Sequence, residues 1–439
     1  MSRSATMPPS PHADAPDLVQ ARRAAARRKM YRRRRTVVFG MLLVVVALLG
    51  GTGIYSANAL NAPIPEAAPT ATAPAPVAAA PQPVVAPGFG TFAISAVGYP
   101  GTLAQSPDPT PLPSASITKI ITSLVILDAH PIPAGEEGPA IAYTNADVDI
   151  YWDMVAQNGS VSPVPAGSLT LKQSLEAMLL PSGNNYAISL ANWAFGSEQG
   201  LVDAARAWLD ARGLVHTNIA DASGLSLENT SIPTDLVQLG MLALDNPVLA
   251  EVVAMQTAEI PGVGTVRNTN KMLGTHGVDG IKTGSTDDAA NLLFSADFAV
   301  GSSTITLVGV VLGAPDHDVL DQAIGALIDS VVPGFHEVPA LGAGQELASY
   351  AQPWGDTAVA RTTQAASVIV WSDTPVTVEV QAEPITLVED GDDVGVAVVH
   401  AGDQAITVPL EIDGTVEDPG AWWRLTNPGG LDPAESPAA

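Results

Sequence analysis

The sequence predicts an α+β domain, a mainly antiparallel sheet with a helical cluster, between an N-terminal transmembrane helix and a small C-terminal all-β domain. Three observations lead there. An uncharged run from Thr36 to Tyr55 directly follows Arg32-Arg33-Arg34-Arg35. Between Phe89 and Phe335, helical patterns cluster mid-sequence with strand-like runs before and after them. From about 340 to 415 the chain changes to short, β-branched, often alternating segments separated by Gly and Asp.

The N-terminal element follows from charge and length. At 439 residues, 46% hydrophobic and 15% charged, the chain can bury a large core and is expected to hold more than one domain. Its net charge of −26 conceals an asymmetry: residues 1–35 carry ten Lys and Arg against two Asp, whereas the remainder holds nine basic and 43 acidic side chains. So acidic a body repels nucleic acid, and Trp and Tyr are too dispersed to form a base-stacking platform. The basic arm, 1–35, is instead explained by the apolar segment 36–56. About 20 helical residues at ~1.5 Å each span roughly 30 Å, the thickness of a bilayer's hydrocarbon core. The Arg cluster predicts a cytoplasmic N-terminus with everything downstream outside. The run reads as a retained anchor; cleavage near the small-x-small triplet Ala57-Asn58-Ala59 is the alternative. With no Cys, disulfides and thiolate metal sites are excluded.

Residues 57–88 are mostly Ala and Pro, which cannot pack a core and predict an extended spacer reaching roughly 80–90 Å from the membrane. In the central segment, 89–335, expected to be one domain, a buried helix is expected over Ile117 to Ala129, starting near Ser116. Ser168 or Thr170 caps a second helix running toward Pro181. Further helices are expected over Asn184 to Ala194, Leu201 to Arg212 and about Val319 to Val331. Strands are expected over Ile281 to Gly284, Asn291 to Ala296 and Ile305 to Leu312. The β-rich segment, 340–415, holds runs at Val368 to Trp371, Val376 to Val380, Ile385 to Val388, Val394 to Val399 and Ile406 to Ile412. The tail, 416–439, is Pro, Ala and acid rich toward its end and is expected to be disordered.

The chemistry lies in three short motifs in fixed order. Ser116-Ile117-Thr118-Lys119 puts a hydroxyl and an amine at i and i+3, on one helix face. Lys119 sits among Ile117, Ile120 and Ile121, whose desolvation lowers an amine toward a usable base. Ser116 near a helix start places its backbone N–H where an oxyanion is stabilised. Ser182-Gly183-Asn184 follows Pro181 and offers a second hydroxyl for proton relay and an amide to hold substrate. Lys282-Thr283-Gly284 lies on a strand where Gly284 leaves room for a peptide to pair along the edge, while Lys282 and Thr283 can bind a carboxylate. Of five Lys in the chain, only Lys119 has a Ser three residues before it. These parts suit acyl transfer with a Ser–Lys pair.

In these motifs and their surroundings (Ala115 to Thr122, Met178 to Ala187, Gly280 to Thr286) the chain resembles the low-molecular-mass penicillin-binding D-alanyl-D-alanine carboxypeptidases. Asp221-Ala222-Ser223-Gly224-Leu225 and Asn268 to Leu273 resemble that family too, and the likeness covers roughly 90–335. It implies a penicillin-binding/β-lactamase-like fold and removal of the terminal D-Ala from peptidoglycan stem peptides ending in D-Ala-D-Ala. Ser116 is then the acylated nucleophile, Lys119 its general base, and Ser182 and Asn184 the relay and positioning groups. Lys282 and Thr283 bind the terminal carboxylate, with Gly284 beside them, and the N–H groups of Ser116 and Ser285 form the oxyanion hole. β-Lactams are expected to acylate Ser116, and a β-rich C-terminal domain fits the family. Members often carry an Arg in the segment matching Ile232 to Leu236 and another near Asp316 to Asp321; this chain has neither.

The rivals are a D,D-endopeptidase acting on crosslinks, a β-lactamase, and a catalytically weak cell-envelope scaffold. A lactamase needs a deacylating base, and no Glu-x-x-Leu-Asn segment lies between Ser182 and Lys282. His130, His216, His276 and His317 lack ligand spacing and read as structural or surface groups, so neither a metal nor another cofactor is expected.

Overall fold

The computed structural model describes residues 15–431, with side chains described from Gln20 onward. The first element is a helix, Ala15–Leu60, which includes both the basic residues from Arg22 and the apolar run. Phe39, Leu42, Leu43, Leu48 and Leu49 on it are all exposed, so this stretch has no protein core to pack against.

The segment 89–335 is organised by a five-stranded antiparallel sheet ordered Val278–Ser285, Ala290–Val300, Ser303–Ala314, Thr91–Ala96, Ala104–Gln105. The two-residue period of the central strands divides their side chains between two cores. Leu293, Val308 and Val310 face the helical cluster; Leu292, Phe294 and Val311 face the helix His317–Val331. Gly309 pairs with Phe294, and a Cβ there would sit 2.3 Å from the Phe294 ring, so the position must stay bare.

At the centre of the cluster runs Thr118–Ala129, preceded by a 3-10 turn, Ala115–Ile117. Every residue from Thr118 to Leu127 is buried, which is why its sequence is apolar all round rather than striped. Thr170, not Ser168, caps Leu171–Leu179, in a reciprocal box with Gln173. Asn184–Phe195 and Glu198–Asp210 follow as expected. Three helices were not anticipated from sequence: Asn145–Ala156, Pro233–Asp245 and Pro247–Ala254. Each begins with a recognisable signal, a Thr144 capping box or a Pro in the first turn.

The β-rich segment supplies five strands of a six-stranded sheet and forms a two-stranded one, around Val368, Val399, Val408, Leu410 and Ile412. Its first strand, Phe335–Leu341, bridges the expected gap between segments and pairs with Ala366–Trp371. Ile385 to Val388 is not a strand: Ile385 and Val388 form isolated bridges to Ala67 and Val416.

Two expectations need correction. The Ala/Pro segment is extended, but it is not a free spacer. Thr70–Ala71 adds to the sheet edge by pairing with Ser349 and Ala348, Ala67 bridges Ile385, and Val77 bridges Val376. An edge strand presents unpaired N–H and C=O groups, and the stretch between Pro69 and Pro74 is free of proline and can satisfy them. A reach of 80–90 Å therefore does not apply. The tail is also ordered further than its composition suggests. Val416 pairs with Val388 and Gly420–Thr426 is helical. Trp423 stacks edge-on against Trp354, and buried Arg424 forks onto Asp418 while donating to the Ala62 carbonyl at 2.7 Å. The remainder of that tail, 432–439, and residues 1–14 of the basic arm lie outside the described residues.

Candidate active site

The nucleophile candidate sits on a turn held from behind. Ser114 Oγ lies 2.9 Å from Thr118 Oγ1 and donates to the Asn229 carbonyl at 3.1 Å, which fixes the 3-10 turn carrying Ser116. One turn on, Lys119 is fully buried. Its Nζ lies 2.9 Å from Ser116 Oγ, 2.7 Å from Asn184 Oδ1 and 2.7 Å from the Ser223 carbonyl oxygen. Burial holds this amine well below the usual lysine range, and the positive charge of nearby Lys282 pushes the same way, against Asp221.

The geometry at Nζ has a chemical consequence. A neutral amine has two N–H donors and one lone pair. With Asn184 and the Ser223 carbonyl taking the two donors, the lone pair faces Ser116 Oγ. The pair is thereby arranged for proton removal from the hydroxyl.

Asn184 is positioned by its neighbour. Asn185 clamps the opposite loop, accepting from the Ser162 N–H at 3.0 Å and donating to the Ser162 carbonyl at 2.9 Å, while the Asn184 N–H donates to Ser160 O. Ser182 is buried, with a left-handed backbone (φ 64°), and makes no hydrogen bond to Lys119 or Lys282 among the described residues. The sequence puts it in relay with Lys119; no hydrogen bond in the structure joins them.

Lys282 and Thr283 lie on Val278–Ser285, the edge strand of the five-stranded sheet. Lys282 is buried; its Nζ donates to the Thr283 carbonyl at 3.1 Å and to Thr283 Oγ1 at 3.2 Å, and burial lowers its pKa to about 7. Thr269 Oγ1 holds Thr283 Oγ1 at 2.6 Å. A Cβ at Gly284 would meet the Ser114 carbonyl at 2.7 Å, so only a bare residue lets the strand approach the nucleophile turn. Ser285, at the exposed end, contacts His317 Nε2 at 2.8 Å. His317, read from sequence as structural or surface, thus reaches the mouth of the site; a ligand-spacing test could not find it because its partner is 32 residues away.

Asp221 is the organising residue that sequence reasoning assigned no role. Its Oδ1 accepts from the N–H groups of Ser223 (2.8 Å) and Gly224 (2.7 Å) and from Ser223 Oγ (2.9 Å). Its Oδ2 accepts from Ser226 N–H (2.7 Å) and Asn229 Nδ2 (2.8 Å). Burial alone raises its pKa, but these hydrogen bonds, led by Ser226 and Ser223, outweigh it and hold the carboxylate below its usual range. The loop so folded aims the Ser223 carbonyl at Lys119. The Asp-Ala-Ser-Gly sequence, an Asx-turn pattern, was the available signal.

Gly224 closes this loop against the nucleophile turn. Its φ is +79°, and a Cβ would lie 1.9 Å from the Ala115 carbonyl oxygen. Gly224→Ala is expected to cost about 1–3 kcal/mol of stability. It should also slow acylation at Ser116 by at least roughly tenfold, because Ala115 moves with its neighbour. Thermal unfolding and labelling kinetics of the purified variant check both; unchanged labelling would separate the loop from the nucleophile.

Residues 102–316 match the family model Peptidase S11, described as D-alanyl-D-alanine carboxypeptidase. The chain is 32% identical over 193 residues to a D-alanyl-D-alanine endopeptidase of Pseudomonas aeruginosa, covering 42% of this chain and 58% of the relative. It is 27% identical over 248 residues to D-alanyl-D-alanine carboxypeptidase DacA of Escherichia coli K12, covering 55% of this chain and 60% of that protein. The matches thus span about 60% of the length of these relatives. A crystal structure of a peptidoglycan synthesis regulatory factor, PBP3, from Streptococcus pneumoniae superposes with a TM-score of 0.56 at 20% identity, over 76% of this chain and 100% of that one. The two share a fold.

Proposed function

We propose, since residues 102–316 match the D-alanyl-D-alanine carboxypeptidase family model, peptidase S11, that this chain is a membrane-anchored serine peptidase. It removes the terminal D-Ala from peptidoglycan stem peptides. The observation that carries this is the Lys119 amine, fully buried and 2.9 Å from Ser116 Oγ with two further acceptors fixing its lone pair.

Neutral Lys119 takes the Ser116 proton as Oγ attacks the carbonyl of the penultimate D-Ala. The backbone N–H groups of Ser116 and Ser285 receive the oxyanion. The C–N bond breaks, and the proton that Lys119 took passes to the departing D-Ala amine, Ser182 joining the relay only with substrate seated between them; D-Ala leaves and Ser116 is left as an ester that water hydrolyses. Asn184 holds the substrate amide, and Lys282 and Thr283 hold the terminal carboxylate beside Gly284. The helix Ala15–Leu60 crosses the membrane through 36–56 with its Arg-rich end inside, so that the catalytic segment 89–335 and the β-rich segment 340–415 lie outside.

A D,D-endopeptidase is the second reading, favoured by the relative of that name at 32% identity. Incubating the purified protein with a D-Ala-D-Ala pentapeptide and, separately, with a D,D-crosslinked stem-peptide dimer tests the two. D-Ala release at a kcat/KM at least about tenfold above dimer cleavage is expected. Preferential dimer cleavage would establish the endopeptidase, and cleavage of neither substrate would leave the scaffold reading ahead.

A further inference from the structure

We propose that Glu198 is a positioning residue for the Ser116–Lys119 pair: its carboxylate holds the N–H of Ala222 and thereby keeps the Ser223 carbonyl on the Lys119 amine. This deepens the reading of Ser116 as the acylated nucleophile and rests on it.

Glu198 opens the 13-residue helix Glu198–Asp210, whose N-cap Ser197 accepts from the Gly200 N–H. It is half-buried, and the Arg on its own helix does not pair with it: Arg206 donates to the Ile219 carbonyl at 3.1 Å and lies 3.9 Å from Asp203. Burial pushes the Glu198 carboxyl above its usual range, and nearby Asp221 pushes the same way, against the pull of the Ala222 N–H. A carboxylate is costly in such a place. The hydrogen bond it accepts, from Ala222 N–H to Oε1 at 3.0 Å, belongs to the loop that reaches the reacting pair.

Ala222 is gripped from both sides. Fully buried Thr122 donates from Oγ1 to its carbonyl at 2.8 Å. Thr122 stands three residues after Lys119 on the helix Thr118–Ala129, so the two side chains share a face. The three consecutive N–H groups of Ala222, Ser223 and Gly224 all go to carboxylates, the first to Glu198 and the next two to Asp221. The carbonyls of Ala222 and Ser223 are thereby turned the other way, onto Thr122 and Lys119. Asp221 fixes the later part of the turn, and Glu198 anchors its entry from a separate helix. Without Glu198, Thr122 alone holds the Ala222 backbone, and the next carbonyl can swing off Nζ. A neutral amine that loses one of its two acceptors no longer has a fixed lone pair, and the near-attack arrangement at Ser116 Oγ is lost.

The test follows acylation by a fluorescent penicillin from pH 5.5 to 9, with full-length protein in detergent, for wild type, Glu198→Gln and Glu198→Ala. Rates are taken per labelled molecule, so that unfolded protein does not count, and thermal melts are recorded beside them. Glu198→Gln keeps an acceptor oxygen and should acylate within about threefold of wild type at the plateau; Glu198→Ala should lose about tenfold. A carbonyl holds an ammonium more tightly than a neutral amine, so losing Ser223 O also favours the neutral form. In Glu198→Ala the rising limb should therefore move to lower pH even as the plateau falls. An unchanged plateau with only a lower melting temperature would make Glu198 a purely structural residue and overturn the proposal. Equal losses in the Gln and Ala variants would overturn it as well, since charge and not the acceptor would then matter. So would a limb that stays in place while the plateau falls. If Glu198→Ala does not melt cooperatively, Thr122→Val removes the opposite grip on Ala222 and should give the same limb shift and plateau loss; wild-type behaviour there sinks the proposal. Wild-type protein that is not labelled at all would instead overturn the reading of Ser116, and the inference with it.

Discussion

Ser116→Ala should remove covalent labelling by fluorescent penicillin altogether and lower D-Ala release by roughly 10³-fold or more, since among the described residues Ser116 is the one hydroxyl hydrogen-bonded to the Lys119 amine. The fold should be nearly unaffected. Ser116 is only partly buried, and its hydroxyl is one of three oxygens around Nζ. The decisive comparison is a labelling gel beside a thermal melt. Wild-type labelling in the variant would move the acylated residue elsewhere in the chain, whereas loss of both labelling and cooperative melting would show only that the turn had collapsed.

Lys119→Met keeps the length and apolar stem but removes the base, and acylation should fall by a similar roughly 10³-fold. The pH dependence carries more information than the single number. Only the neutral amine can accept the Ser116 proton, so acylation rises with pH as Lys119 deprotonates, and burial moves that rise well below the ordinary lysine range. Lys282 works in the opposite sense: above about pH 7 it loses the charge that attracts a carboxylate. The kcat/KM for a free-acid peptide should therefore be bell-shaped, and that for the same peptide with a C-terminal amide should keep its rising limb alone. A free-acid profile that rises monotonically to pH 10 would remove Lys282 from carboxylate binding.

Stability responds to the same groups with a definite sign. The folded-state pKa of Lys282, about 7, lies below the unfolded value near 10.5, so between those limits the unfolded chain binds more protons than the native one. Lys282 thus makes the fold less stable at pH 7 than at pH 10, and its contribution improves as pH rises through that window. A Lys282→Met variant should lose this part of the slope, which denaturant midpoints at pH 7, 8 and 9 would measure.

The parts of the site that were legible in sequence are those whose meaning is local. Ser116 and Lys119 meet because i and i+3 share a helix face. Gly284 could be read as a close-approach position because a missing side chain is itself the signal. The helices whose partners lie within one turn, such as the Thr170 cap with Gln173, were legible for the same reason. Strand pairs joined by short turns, such as Ala290–Val300 with Ser303–Ala314, belong to this group too. Asp221 and His317 were not legible as site residues. Asp221 acts through a carbonyl that belongs to Ser223, and His317 through a serine 32 residues before it.

Composition alone misled at the linker and the tail. Ala and Pro correctly predict extended backbone, yet whether that backbone is free or adds to a sheet depends on the unpaired edge of Glu346–Ala351, nearly 300 residues downstream. The tail's acid and Pro content concealed a Trp pair and a forked Arg424.

By itself the sequence determined the order and spacing of the three candidate motifs, the antiparallel α+β class, and a basic-then-apolar N-terminus, because each is written in neighbouring residues as spacing, periodicity or charge. Only the tertiary structure decided what surrounds the Lys119 amine, which imidazole reaches Ser285, and where the linker lies. Those contacts join segments tens to hundreds of residues apart, and their energy comes from burial and hydrogen-bond satisfaction that exist only once the chain has closed around them.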